Sequence, residues 1–467
     1  MPNIKQHSII FAGQNTLAIT MSHLIMKFGG TSVGSAARIQ ALAELVNDKR
    51  PKIVVLSAMA GTTNALVDIA DSLYANQNET ANKKIDALEK TYHEVVKTLF
   101  SSEKSLNKAN DLIRNHFDYI RSFTLDLFTV HEEKAVLAQG ELISTALFHY
   151  YLEENQIPSV LVPALDFMRL NSIDEPDFSF IGKHLKKILI ENSENLLFIT
   201  QGYICRNEFG EIDNLKRGGS DYTATIIGAV LDSPEIQIWT DIDGMHNNDP
   251  RVVQPTFPIT ELSYDEAAEL AYFGARILHP TCVLPAQKKQ VPIRLLNTMQ
   301  PEAKGTIISE KGSGRDFIAV AAKDGITAIN IRSGRMLLAY GFLRSVFEVF
   351  ERYRTPIDMI TTSEVAVSLS IDNPAHLNEI VKELEYFGQV QAEHNQTIIC
   401  VVGDFSRDRQ DQAFRILEAL KEIPLRMISY GGSDHNVSVL IESHFKKEAL
   451  TKLNEVLFMN HSNNLKA

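Results

Sequence analysis

The stretch IMKFGGTSVGS, residues 25–35, decides how the rest of the chain reads. A short apolar run ends in Lys27, and then come Phe28, the pair Gly29–Gly30, Thr31 and Ser32. This is the pattern of a buried strand that finishes in an anion-binding turn. Adjacent glycines let the backbone bring its N–H groups close to a phosphate, and a cation at the strand tip neutralises charge on a phosphoryl group. The helical spacing that follows, Ile39, Leu42, Leu45 and Val46, aims a helix N-terminus the same way. No G-x-x-x-x-G-K-[ST] occurs in the chain, and here the lysine precedes the glycines, so this is not the Walker loop. Alone, the two glycines read more simply as a glycine-rich turn with a surface lysine. A second turn shifts the balance. In KRGGSDYTA, residues 216–224, Arg217 again sets a cation before Gly218–Gly219 and a hydroxyl, and Asp221 opens a helix. Asp221 reads as an N-cap, as a partner for Lys27, or as a magnesium ligand. Two such turns imply an anion held between two βα loops at the carboxyl edge of a parallel sheet.

The totals bound what surrounds that edge. A chain of 467 residues implies two or three domains, and 44% hydrophobic with 22% charged residues is ordinary for globular cores. The net charge of −12 argues against bulk binding to nucleic acid or anionic lipid, so anionic substrates need local cations. Cys205, Cys282 and Cys400 are odd in number and widely spaced, the pattern of a reducing compartment without disulfides or a zinc site. No apolar run approaches the length of a membrane span. Residues 1–21 read as a leader or an early start ahead of Met21, outside the core.

Up to about residue 300, short apolar runs alternate with helical patterns. Strands are expected at 23–28, 52–58, 159–165, 195–204, 235–242 and 291–297. Helices are expected at 132–155, 221–231 and 264–278, among others. Such alternation implies an α/β fold with a mostly parallel sheet between helices. The polar segment 72–134 reads as an inserted helical arm. The Gly, Ser and charge-rich SEKGSGRDF, residues 309–317, reads as a linker. Beyond it PIDMI (356–360) is echoed by PLRMI (424–428). Each follows an amphipathic helical pattern and precedes an alternating strand and a second helix. A β-α-β-β-α unit repeated in this way predicts two small α+β modules.

The ordered set KFGGTSVG, SAMAGTTN, QGELIS, RGGSDYTA, WTDIDGMHNNDPRVV and AAELAYFGARILHP resembles the successive motifs of the aspartokinases, and the repeat resembles their paired ACT domains. The likeness runs from Met21 onward and is nearest the lysine-sensitive monofunctional branch. It implies an amino acid kinase fold over 22–305, a linker over 306–317, and ferredoxin-like βαββαβ ACT domains over 318–392 and 393–467. It also implies a cytoplasmic enzyme, at least a homodimer through its ACT domains. The implied reaction phosphorylates the β-carboxylate of L-aspartate from Mg-ATP, opening lysine, methionine and threonine biosynthesis.

Carried over by motif, Lys27 and Asp221 are the catalytic pair. Lys27, Phe28, Gly29, Gly30, Ser220, Thr240, Asp241, His246, Arg251, Arg276 and Ile277 form the ATP site. Ser57, Thr63, Glu141, Arg217, Gly218 and Gly219 form the aspartate site, with Glu141 receiving the α-ammonium and Arg217 a carboxylate. His246 and Arg276 stand where the nearest relatives have tyrosine and lysine. No protein side chain is assigned to the metal, which arrives with ATP. A carboxylate of pKa about 3.9 is already ionised at neutral pH, so no general base is expected. The effector loop of the resembling family corresponds to 336–343, with Met336, Gly341, Leu343 and the opposing Asp358 keeping its pattern. Leu338 and Ala339 depart from it, which leaves lysine, threonine, another amino acid or no effector open. Two other readings remain: a different amino acid kinase, or a silent amino acid sensor on the kinase scaffold.

Overall fold

The structure, a computed structural model, describes residues 22–125, 127–215, 218–274, 278–333, 340–406 and 411–459. The expected leader, residues 1–21, lies outside them. The chain divides into two units, Met1–Gly244 with Thr281–Glu310 and Met245–Pro280 with Lys311–Ala467.

In the first unit, LIMKF forms β1 (Leu24–Phe28) and leads into α1 (Ala36–Val46). There follow β2 (Lys52–Leu56), α2 (Thr62–Tyr74), α3 (Asn78–Leu99), α4 (Glu103–Ser122), α5 (Val130–Glu154), β3 (Val160–Leu161), α6 (Ala164–Phe167) and α7 (Phe178–Glu191). Next come β4 (Leu197–Gln201), the hairpin β5 (Ile204–Arg206) and β6 (Ile212–Asn214), α8 (Gly219–Leu231) and β7 (Ile236–Thr240). After β8 (Glu261–Ser263) and α9 (Tyr264–Tyr272) of the second unit, the chain returns as α10 (Pro280–Lys289), β9 (Ile293–Asn297) and β10 (Thr306–Ser309). The sheet of this unit runs β3-β4-β2-β1-β7-β9-β10, parallel except for β9 with β10. Lys27 is therefore near the carboxyl end of a central strand, in register with Val55 of β2 and Ile238 of β7. Every residue of β1 and β2 is buried, as expected of parallel strands covered on both faces.

Three expectations need correction here. The segment read as an inserted arm is part of the core. In α3, Ala81, Ile85, Tyr92, Val96 and Leu99 pack with Ile113 and Phe117 of α4 into the cluster that holds β1 and α5. Only Val160–Leu161 of the 159–165 run is strand, because Pro163 ends it and starts α6. Thr306–Ser309, expected in the linker, pairs with β9 as a strand.

The second unit carries a six-stranded antiparallel sheet, β12-β13-β11-β14-β16-β15, built from β11 (Phe317–Arg332), β12 (Met359–Thr362), β13 (Ala366–Ile371), β14 (Gln389–Gly403), β15 (Met427–Ser429) and β16 (Asn436–Glu442). Its helices are α11 (Phe342–Arg352), α12 (Leu377–Leu384), α13 (Gln412–Ala419) and α14 (Lys446–Asn454). The repeat is visible in the elements, β12 corresponding to β15 and β13 to β16. One core gathers Ile329, Ile331, Val346, Phe350, Leu369, Ile380 and Leu384. The other gathers Phe317, Val320, Ile399, Val401, Ile416, Leu450 and Leu453. The two modules are thus not consecutive in sequence. The first half of β11 belongs to the second core and its second half to the first, and β11 pairs with β14 along nearly its whole length.

Two strands shared by two cores tie their stabilities together. Ile329→Ala and Ile399→Ala each remove a fully buried side chain, and each is expected to cost ~2–5 kcal/mol. Both are expected to lower the same calorimetric transition of the second unit. Separate transitions, each moved by one substitution alone, would show that the cores fold independently.

Candidate active site

The site is assembled by three loops at the carboxyl edge of the first unit's sheet. The first follows β1. Gly29 precedes a 3-10 turn over Gly30–Val33 and offers its N–H groups no side-chain cap. The Gly30 carbonyl accepts from Ala60 N–H at 3.1 Å, which joins this turn to the loop after β2. The third loop opens α8. Gly218 holds φ +76°, a left-handed conformation that costs a side-chain-bearing residue roughly 1 kcal/mol or more. It caps α8 without a side chain, so the first-turn N–H groups find no side-chain acceptor there. Such a helix start is suited to an anion.

Asp221, in the first turn of α8, meets Lys27 across this edge. Lys27 Nζ lies 2.6 Å from Asp221 Oδ1, with the side chains 10% and 14% exposed. The approach lacks hydrogen-bond alignment, so it is a charge contact that leaves the ammonium's other directions available. Of the readings open for Asp221, the structure realises the partner of Lys27.

Glu141 comes from the opposite wall. The capping box of Thr129 and Glu132 starts α5 one turn before its buried stretch. A Cβ on Gly140 would stand 2.8 Å from the Ala58 side chain, so glycine lets α5 press against the loop after β2. That contact puts Glu141 Oε1 within 3.2 Å of the Ala58 N–H. Oε2 is buried without a hydrogen-bond partner. Neighbouring polar groups on α5 are satisfied: Thr145 Oγ1 donates to Glu141 O at 2.8 Å and accepts from Gln201 Nε2 at 2.7 Å. Burial, only partly offset by the Ala58 N–H, pushes the Glu141 carboxyl up to about 7. A half-satisfied buried carboxylate costs stability and awaits a cation.

Lys27, Ser57, Thr63, Glu141, Gly218, Gly219, Ser220 and Asp221 line one cavity of about 450 Å³. The Ser57 carbonyl is held by Ser144 Oγ at 2.8 Å, and Thr63 sits exposed on the first turn of α2. Tyr203 and Leu215 also line the cavity and were not expected. Tyr203 hides in the apolar run 195–204. It leaves the strand at φ +68°, directly after Gly202, and burial raises its phenol to about 12.

The other described residues expected at the site are not among those that line this cavity. The Phe28 ring is fully buried and stacks on Trp239 at 5.7 Å, so any nucleotide contact there is limited to main chain. Thr240 ends β7, and Asp241 beside it is exposed. His246 and Arg251 belong to the second unit, where His246 Nδ1 bonds Thr256 Oγ1 at 3.0 Å. Arg251 forks onto Asp249 at 2.9 and 2.8 Å and holds that carboxyl below its ordinary range. Arg217, Arg276, Ile277 and Met336 lie outside the described residues, as do Leu338 and Ala339.

At the expected effector position, Gly341 (φ +87°) starts α11 and Leu343 is exposed. Asp358 is not an open carboxylate. Its side chain is 1% exposed, and Oδ1 accepts from Lys323 Nζ at 2.7 Å and from Tyr272 Oη at 2.8 Å. Its Oδ2 is buried without a hydrogen-bond partner, and Lys323 also pairs with Asp372 at 2.9 Å.

Residues 23–297 match the model of the amino acid kinase family, and 399–457 match an ACT domain model. The chain is 31% identical over 463 residues to the lysine-sensitive aspartokinase 3 of Escherichia coli strain K12, across 94% of this chain and 100% of that protein. It is 31% identical to the chloroplastic aspartokinase 3 of Arabidopsis thaliana, across 93% of this chain and 81% of that protein. This chain belongs to the aspartokinases. The crystal structure of E. coli aspartokinase III in complex with aspartate and ADP, an R-state, superposes with a TM-score of 0.82 at 30% identity, covering 93% of this chain and 100% of that one. The T-state of that aspartokinase with lysine and aspartate gives 0.79 at 31% identity, covering 93% and 99%.

The raised carboxyl of Glu141 sets a pH dependence. A ligand ammonium pairs only with the ionised form, so protons compete with it below about pH 7. The affinity for an α-amino acid is expected to fall up to about tenfold per pH unit below 7 and to level off above it. Calorimetric titration with aspartate from pH 5.5 to 8.5 checks this, with Glu141→Gln as control. Weakened binding without the pH slope is expected for the variant.

Proposed function

We propose that this chain transfers the γ-phosphoryl group of ATP to the β-carboxylate of L-aspartate, giving ADP and 4-phospho-L-aspartate. The observation that carries the reading is the meeting, in one cavity, of the Lys27–Asp221 pair with the lone buried carboxylate of Glu141. An α-amino acid with a second carboxylate fits this arrangement end to end. Its ammonium compensates Glu141, and its reacting carboxylate reaches Lys27. Arg217, just before the α8 turn, supplies the planar fork for the α-carboxylate. The E. coli relative, whose complex holds aspartate and ADP, supports the same pairing of substrates.

The attacking carboxylate is ionised, so the chemistry needs no proton abstraction. The difficulty is bringing two anions together, and positioning with opposing charge lowers that barrier. The turn after β1 and the start of α8 offer N–H groups to the phosphates, and Lys27 neutralises charge on the group in transit. Asp221 keeps the lysine aimed. Mg²⁺ carried on ATP would supply further neutralisation, and Asp221, beside Lys27, is an acidic side chain that would hold it. Among the described residues no group of three His, Cys, Asp or Glu could hold a metal ion.

In this reading the product opens lysine, threonine and methionine biosynthesis. The catalytic domain runs from about 22 through the strand that ends at Ser309, the linker narrows to about 310–316, and the ACT domains follow, the strand exchange noted above apart. The second unit regulates the first, lysine being the first effector to test and threonine the alternative. The chain works in the cytoplasm as at least a homodimer through its ACT domains. No helix of the described residues is long and apolar enough to cross a membrane.

Hydroxylamine trapping of the acyl phosphate, with aspartate and Mg-ATP, tests the activity directly. Lys27→Ala is expected to lose at least ~10²-fold in turnover. Glutamate, acetylglutamate and carbamate serve as competing acceptors, and preference for any of them would overturn the assignment. In the same assay, lysine, threonine and methionine are titrated in turn. A rate indifferent to all three would end the regulatory proposal.

A further inference from the structure

The two halves of the first unit's sheet edge are joined by a hydroxyl chain that the reaction described above does not use. Ser32 belongs to the 3-10 turn after β1 and is 2% exposed. Its Oγ lies 2.9 Å from Thr298 Oγ1, 266 residues away in sequence. Thr298 directly follows β9, and its Oγ1 donates to the Thr240 carbonyl at the end of β7, also at 2.9 Å. A threonine hydroxyl has one proton. Since that proton goes to Thr240, the bond between the two hydroxyls runs from Ser32 to Thr298. The result is an ordered chain, Ser32 O–H to Thr298 O–H to Thr240 O=C, in which each bond polarises the next.

The chain links two loops with different tasks. At one end is the glycine turn proposed to cradle the phosphates, and at the other the Thr240–Asp241 corner proposed to contact the nucleotide. Thr240 Oγ1 accepts from the Ile242 N–H at 3.2 Å, so the corner is itself folded around Thr240. The Thr298 main-chain N–H also donates to the Thr240 carbonyl, at 2.8 Å. The ends of β7 and β9 therefore stay docked without the hydroxyl, and what the hydroxyl adds is the tie to Ser32.

We infer that Thr298 is a positioning residue for the nucleotide, setting the spacing between the phosphate turn and the β7 corner through Ser32. This rests on the aspartate kinase reading. Thr298 acts through Ser32 and Thr240 and needs no contact with substrate.

Thr298→Val tests it, because valine keeps the shape and the main-chain bond and deletes only the hydroxyl. The expected result is a KM for Mg-ATP raised about 3- to 10-fold, the scale of one lost hydrogen bond, with the KM for aspartate within about twofold. Thr298→Ser is expected to restore the parent value, since it returns the hydroxyl. Ser32→Ala breaks the same bond from the other side, and the double variant is expected to be no worse than the more affected single one. Equal shifts in both KM values, no shift in the Mg-ATP value, failure of serine to rescue, or additive losses in the double variant would each overturn the inference. Should Thr298→Val not yield folded protein, Ser32→Ala against Thr298→Ser carries the same comparison. Hydroxamate formation by the parent enzyme reports on the kinase reading separately, so failure of one is not mistaken for failure of the other.

Discussion

The contact between Lys27 and Asp221 is the constraint from which the rest of the site follows. Each charge comes from a different βα unit, one at the end of a central strand and the other in the first turn of a helix. Both are largely out of water, so neither is stable alone. A buried charge that loses its partner costs several kcal/mol, whereas a paired one is held in place by the same field. The pair therefore fixes the distance between the glycine turn after β1 and the glycine cap of α8. The lysine of the pair also lines the cavity that Glu141 lines.

Glu141 is the complementary case. It is buried to a similar degree, but one oxygen has no partner. The helix carrying it satisfies its other polar side chains, so the exception is local. Folding accepts an unmatched carboxylate at this point, and under the proposed function a ligand ammonium would remove the penalty on binding. The cavity thus has two ends that differ in charge pairing, a matched pair at Lys27 and Asp221 and an unmatched carboxyl at Glu141. Helix start, pair and orphan lie along one edge of one sheet.

The sequence shows some of this better than the rest, for physical reasons. Two Gly-Gly turns preceded by cations are legible because few backbone geometries need that composition, and the strands β1, β2, β4, β7 and β9 follow from apolar runs. Glu141 is not legible from periodicity, since α5 is buried on most of its surface and shows no contrasting face. Its assignment came from the resemblance of QGELIS. Tyr203 escaped because a turn residue at positive φ is invisible inside an apolar run. The helices α3 and α4 look like a polar arm because their buried stripes are narrow. In the second unit the alternation of β11 marks a strand but cannot say that its two halves serve different cores. Nothing in PIDMI announces Lys323, which reaches one oxygen of Asp358 from β11.

A crystal structure with L-aspartate and a non-hydrolysable ATP analogue tests the central claim most directly. The account predicts the aspartate ammonium within hydrogen-bond distance of Glu141 Oε2, the β-carboxylate directed at the γ-phosphate, and the Lys27 ammonium touching the phosphate while still against Asp221. An aspartate seated away from Glu141, or a Lys27 turned out of the cavity toward solvent, would contradict it.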